Sequence, residues 1–137
     1  MMVQASSEDQ TYQENVRVSI VSIKNITDET YIVLLQAQSN PSLLRNPSWI
    51  SNARSVLDDF SHETNLLSTY SPPPSQEELG VKVRLLEAYL TSFVRNFGDF
   101  LGTRDIESLQ SSTLDLENFE RILKLLLEDL ETEDLQF

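Results

Sequence analysis

Apolar residues recur along the second half of the chain at alternating spacings of four and three, the periodicity of one face of an α-helix. One run keeps this spacing without a slip: Leu79, Val83, Leu86, Leu90, Phe93, Phe97 and Phe100. A second run is Leu109, Ser112, Leu116, Phe119, Leu123, Leu126 and Leu130. Between them, Gly102 predicts the end of the first helix and Thr103 the N-cap of the second. The short connection predicts two antiparallel neighbours.

A third segment with helical spacing precedes the central prolines. Its predicted buried face consists of Trp49, Ala53, Val56, Phe60, Glu63 or Thr64, and Leu67. Asn46 is suited to the N-cap, and Pro47 fits the first helical position, where its missing N–H costs nothing.

The first segment, residues 11–38, has two interpretations. Val16, Val18 and Ile20 alternate with polar residues, and β-branched residues favour strands. A hairpin with "KNITDET" as its loop is therefore one alternative. The segment also carries a helical face: Tyr12, Val16, Ile20, Ile23, Thr27, Thr30 or Tyr31, and Leu34. No Gly or Pro interrupts it, and three helices leave a groove for a fourth, so tertiary context favours the helix over strand propensity.

The stretch "SPPPSQEELG", residues 71–80, is either a linker between domains or a turn within one. Pro72 to Pro74 cannot continue a helix. Ser75 and Glu78 match the S-x-x-E capping box, which predicts that the next helix starts at once. Because neither half could bury its apolar face alone, we predict a turn within a single domain.

The predicted fold is all-α, an antiparallel up-down four-helix bundle, with an N-terminal β-hairpin plus three helices as the minor alternative. The predicted domain covers residues 1–137, with a polar disordered tail at 1–10 and a frayed acidic tail at 132–137. The predicted helices span about 11–38, 46–69, 75–101 and 104–131.

Two leucines lie in the loop before the third segment, where exposed apolar residues are unusual. Leu43 and Leu44 stand between Pro41 and Pro47. We predict that they pack with Trp49 over one end of the bundle, as an end cap or an interaction site.

The formal charge is −12, from 22 acidic and 10 basic residues. Nucleic-acid binding needs basic residues that displace phosphate counterions, so the charge argues against it. No apolar run is long enough to span a membrane. A protein partner remains open, with the chain as a monomer or a homodimer.

The sequence nominates no catalytic, cofactor-binding or metal site, so we predict that the protein is not an enzyme. The chain has no cysteine and one histidine, His62. On a helix, Ser61 and His62 point about 100° apart, which prevents a catalytic triad between neighbours. The carboxylates Glu107, Asp115, Glu117 and Glu120 mostly miss the apolar face and are predicted to face solvent.

The order of several features resembles a group of uncharacterised bacterial helical-bundle proteins, many of them exported or lipid-anchored. The features are Tyr12, "NPSLL" at 40–44, Trp49, Leu57 and the "SPPP" turn followed by a Leu/Phe-rich helical hairpin. The resemblance implies a four-helix fold and an extracytoplasmic location, and it brings no catalytic residues. The opening "MMVQASSEDQ" has no basic or apolar signal region. The compartment therefore stays open: exported with the signal removed, or cytoplasmic.

The predicted function is a non-catalytic bundle that binds a protein or a small ligand. A structural subunit of a larger helical assembly is the alternative. Four apolar residues that lie off the predicted faces favour that alternative: Val21, Ile32, Leu114 and Leu125.

Overall fold

A computed structural model describes residues 7–134 of the chain, with side chains for residues 8–130. Its four helices are α1 (Ser7–Ser39), α2 (Pro47–Thr69), α3 (Glu77–Thr103) and α4 (Ile106–Asp134). Short 3₁₀ turns, Pro41–Arg45 and Pro74–Gln76, precede α2 and α3. The described residues contain no strand, so the all-α four-helix prediction is confirmed and the N-terminal hairpin is wrong.

The helices form a closed ring in which each packs against two neighbours. α1 contacts α2, α2 contacts α3, α3 contacts α4, and α4 contacts α1. The α3/α4 interface is the most extensive of the four and the α1/α4 interface the least. The bundle is therefore weakest along the groove between its first and last helices.

One hydrophobic core draws on all four helices. Every apolar residue predicted for the buried face of α3 is buried, from Leu79 to Phe100. Val16, Ile20 and Ile23 are fully buried on α1, while Val18 is exposed. The residues whose alternation suggested a strand therefore lie on two faces of a helix, with Val16 and Ile20 in the core and Val18 in solvent.

The cap of α2 forms as predicted. Asn46 Oδ1 accepts hydrogen bonds from the backbone N–H groups of Ser48 at 2.8 Å and Trp49 at 3.3 Å. Pro47 occupies the first helical position. Two of the N–H groups that a helix start leaves unpaired are thereby satisfied.

The predicted capping box before α3 is wrong. Ser75 lies in the 3₁₀ turn, α3 begins at Glu77, and no side chain caps its start. The Ser75 hydroxyl donates instead to Asp9 Oδ2 at 2.7 Å. A carboxylate is a stronger acceptor than a neutral group. Asp9 is within reach because α1 begins at Ser7, so residues 7–10 of the predicted tail are helical.

The two predicted tails lie partly outside the described residues. Residues 1–6 and 135–137 are not described, and α4 continues to Asp134.

The α3/α4 connection also differs from the prediction. α3 continues through Gly102 to Thr103, and Arg104 takes the left-handed conformation with φ 64°. Asp105, not Thr103, caps α4, because its Oδ1 accepts from the Glu107 N–H at 3.1 Å. The Thr103 hydroxyl is engaged in the last turn of α3, where it donates to Asp99 O at 2.8 Å.

The proline turn packs against a glycine of α3. A Cβ built on Gly80 would lie 2.6 Å from Pro72 Cγ and 2.8 Å from Pro72 Cβ. Such distances are shorter than any ordinary carbon contact, so the ring of Pro72 occupies the space of a side chain. The close approach that Gly80 permits holds the turn against the helix.

We expect Gly80→Ala to destabilise the protein by about 1–2 kcal/mol, because the clash outweighs alanine's higher helix propensity. Gly98→Ala is the matched control. Its Cβ would meet only Leu57 Cδ1, at an ordinary 3.8 Å. That variant should gain about 0.5–1 kcal/mol from propensity alone. Urea unfolding of both variants checks the pair, and equal stabilisation by the two substitutions would contradict it.

Candidate functional site

The predicted end cap lies where the C-terminal end of α1, the first 3₁₀ turn and the start of α2 meet. Trp49 is 4% exposed, and its Nε1 donates to the carbonyl oxygen of Val33 at 3.0 Å. Leu43 and Leu44 are half-buried and pack against the core. The structure therefore brings the three residues to one end of the bundle, while a role in binding stays a prediction.

A cavity of about 410 Å³ opens beside this end cap, between α1 and α4. Apolar side chains form most of its wall, among them Leu34, Leu44, Trp49, Phe100, Leu109 and Leu116. Gln38 and Thr113 supply polar groups. Thr113 Oγ1 already donates to Leu109 O at 3.0 Å, so Gln38 is the freer of the two. The sequence pointed to Leu44 and Trp49 here but gave no sign of a cavity.

Tyr31 of α1 lines this cavity and reaches across to α4. Its hydroxyl donates to Glu120 Oε2 at 2.5 Å. Burial raises the pKa of Tyr31 to about 12, with further contributions from the hydrogen bond to Glu120 and the negative charges of Glu120 and Glu117. The phenol therefore stays protonated and keeps donating throughout the physiological pH range.

A second opening of about 430 Å³ continues along the α1/α4 groove beyond Tyr31. It is lined by three basic side chains, Lys24, Arg121 and Lys124, and three acidic ones, Asp28, Glu117 and Glu120. Within the described part of the chain, none of the three cations forms an ion pair. The opposite charges balance, so this part of the groove is polar without a strong net field.

Polar residues within the predicted buried faces do not form a site. Thr27, Thr30, Thr64 and Ser112 each donate to a carbonyl oxygen of their own helix. Such bonds satisfy a buried hydroxyl locally. The proton of each of these four hydroxyls is therefore already engaged within its own helix.

Asp115 was predicted to face solvent, and that prediction is wrong. Its Oδ2 accepts from Ser92 Oγ at 2.7 Å and from Asn96 Nδ2 at 2.8 Å, which links α4 to α3. An ion pair between Lys82 and Asp129 makes a second link between the same helices. These carboxylates link α3 and α4 at two points outside the apolar core.

The remaining candidates for chemistry are dispersed. His62 is exposed on α2. Within residues 8–130, no three His, Cys, Asp or Glu side chains are placed to hold a metal ion. No helix in the described part of the chain has the length and apolarity needed to cross a bilayer.

Comparison with known proteins finds no matching family model, no matching curated protein and no matching solved structure. The resemblance to bacterial helical-bundle proteins therefore stays a prediction.

Proposed function

We propose that the protein is a non-catalytic bundle that binds a small apolar molecule in the end cavity. The observation that supports this most is the 410 Å³ volume bordered by Leu44, Trp49 and Leu116. Ligand pockets are commonly about 300–1,000 Å³, apolar, and located between helices of bundles. A volume at the lower end of that range suits a compact ligand of one ring or a short alkyl chain.

The surroundings of the cavity fit this proposal in two further ways. The cavity lies along the α1/α4 interface, the least extensive of the bundle, where separation of the helices disrupts the fewest contacts. The amide of Gln38 borders an otherwise apolar wall, while the phenol proton of Tyr31 is engaged by Glu120. A few polar groups in an apolar pocket are typical of sites that orient a ligand by one or two hydrogen bonds.

The test uses the single tryptophan as a reporter, since Trp49 lines the cavity. Octanol and aromatic probes that contain no indole ring, such as phenol, are titrated into the protein, and the fluorescence of Trp49 is recorded. The proposal expects a saturable change. If none of the probes binds saturably, the proposed ligand site is overturned.

A matched pair of variants locates the binding. Thr113→Phe introduces a ring at the cavity wall, whereas Leu114→Phe places the same ring at the next position, which does not line the cavity. We expect Thr113→Phe to weaken probe binding at least about tenfold, the effect of about 1.4 kcal/mol. Leu114→Phe should leave it unchanged. Equal affinity in the two variants would show that the probe binds elsewhere.

We also propose, as a second candidate, a structural subunit of a larger helical assembly. Support comes from large apolar residues exposed outside the core: Val21, Ile32, Leu114 and Leu125 are 48%, 57%, 61% and 43% exposed. Sedimentation of the purified chain, alone and with extract of its source, tests this candidate. A chain that remains monomeric in both would remove it.

A further inference from the structure

The outer face of α1 carries a regular apolar stripe that the bundle leaves uncovered. Val18, Val21, Ile32 and Leu35 are 58%, 48%, 57% and 57% exposed. Asn25 and Asp28, also exposed, stand between the two pairs. The six positions are spaced by three, four, three, four and three residues, the repeat of a coiled-coil seam. We call them the α1 stripe.

We propose that two copies of the chain pair through the α1 stripe, antiparallel and related by a two-fold axis. The stripe is symmetric about the point between Ile26 and Thr27. An antiparallel pairing about that point places Val18 level with Leu35 of the second copy and Val21 level with Ile32 of the second copy. Asn25 then lies level with Asp28 of the second copy. Every contact occurs twice, as an isologous interface requires.

The polar centre of the stripe selects the antiparallel arrangement. With Asn25 opposite Asp28 of the second copy, the amide can donate to the carboxylate at both symmetric positions. A parallel pairing in register would set Asp28 against Asp28 of the second copy. Two carboxylates side by side repel each other, so the parallel pairing is disfavoured.

Charge along the stripe opposes the approach of a second copy less than the strongly acidic surface of α4 does. The chain carries −12 overall, so two copies repel each other through most surfaces. Residues 15–38 contain two basic residues, Arg17 and Lys24, and two acidic ones, Asp28 and Glu29. Their charges cancel within this segment, while Glu8, Asp9 and Glu14 precede it, so α1 as a whole has two basic and five acidic residues. The proposed register also brings Lys24 level with Glu29 of the second copy.

The other large exposed apolar residues of the described chain do not form a symmetric repeat of this length; they are Val81, Leu85, Ile106, Leu114 and Leu125. Leu114 and Leu125 are eleven residues apart on α4, about 16 Å along the axis. Acidic residues greatly outnumber basic ones on α4. A second copy would therefore meet an isolated leucine on a strongly acidic helix, whereas the α1 stripe offers four apolar side chains within residues 15–38, a segment whose charges cancel.

The interface is small, so the dimer should be weak. The four half-exposed side chains that each copy contributes bury less area than a standard protein–protein interface. We therefore expect a dissociation constant of the dimer on the order of 10–100 μM. Leu35 also lines the end cavity, so the dimer contact and the proposed ligand site adjoin at this residue. The inference gives the second candidate function a specific partner.

Sedimentation equilibrium tests for the dimer. We expect Val21→Glu to weaken self-association at least about tenfold, since it places a carboxylate in the apolar contact. The control Leu114→Glu introduces the same charge at a similarly exposed position and should leave association as it was. A parent chain that is monomeric up to millimolar concentration would overturn the inference. Equal effects of the two variants would overturn it as well.

Cross-linking tests the orientation, because the chain has no cysteine and every introduced thiol is unique. Val21→Cys protein mixed with Ile32→Cys protein should give a rapid 21–32 disulfide. Val21→Cys alone should not cross-link, since its two thiols would lie about 16 Å apart. Faster cross-linking of Val21→Cys with itself would establish a parallel pairing and overturn the inference. Self-association without a 21–32 link would also overturn it, yet leave the subunit candidate in place.

Discussion

Replacing Trp49 by alanine is expected to lower the free energy of unfolding by about 3–5 kcal/mol, the usual effect of deleting a buried aromatic side chain. The indole is 4% exposed and closes the end of the bundle against α1. Its removal leaves a cavity between α1 and α2 and deletes the hydrogen bond to the Val33 carbonyl. Urea unfolding followed by far-UV circular dichroism measures the loss, because the variant has no tryptophan to follow.

The control for this variant is Trp49→Phe, which keeps an aromatic ring and removes the N–H donor. It should cost about 1–2 kcal/mol, from the lost hydrogen bond and a smaller void. A near-zero loss in Trp49→Ala would refute the end cap that Leu43, Leu44 and Trp49 form. Equal losses in the two variants would mean that the hydrogen bond, not the packing of the ring, holds this end together.

The end cap and the proposed ligand site share Trp49, and their tests are therefore kept apart. A loss of stability in Trp49→Ala says only that the ring packs. Binding is tested by Thr113→Phe, which changes the cavity wall from α4 and leaves the contact between Trp49 and Val33 in place. The free energy of unfolding and the affinity for the probe can then change independently of each other.

The helices were predictable because their apolar spacing is local and repeated. Leu79 to Phe100 alternates fours and threes over 22 residues, and every apolar position of that run is buried. α1 was ambiguous because Val16, Val18 and Ile20 suit either a strand or two faces of a helix. The choice between strand and helix depended on how the segment packs against the other helices. The spacing of its apolar residues alone does not specify that packing.

Details that depend on distant residues were not predictable. Ser75 matches a local capping pattern with Glu78, yet it bonds to Asp9, which lies 66 positions earlier in the chain. Asp115 lies off the apolar face of α4, yet Ser92 and Asn96 of α3 meet it. The end cavity likewise depends on how far α1 stands from α4, a distance that no single segment determines.

Replacing Phe60 by alanine is the second substitution for which we expect a large loss, again about 3–5 kcal/mol. Phe60 is fully buried, with its ring centroid 5.6 Å from Phe93 and 5.6 Å from Phe119, both edge-on. The three rings join α2, α3 and α4 at one level. Edge-to-face pairs contribute about 0.5–1.5 kcal/mol each beyond the buried area. With a total stability of about 5–15 kcal/mol, this one ring accounts for a large share.

The same variant tests whether the proline turn joins one domain or two. Phe60 precedes Pro72–Pro74, and Phe93 and Phe119 follow them. If these rings belong to one cooperative unit, Phe60→Ala shifts a single transition, and Trp49 fluorescence and far-UV circular dichroism report the same midpoint. Phe60→Leu, which keeps most of the volume, should cost less than about 1.5 kcal/mol. The opposite outcome is a fluorescence midpoint that falls in Phe60→Ala while most of the helical circular dichroism signal keeps the midpoint of the parent chain. The two halves would then unfold separately, and "SPPPSQEELG" would be a linker between domains.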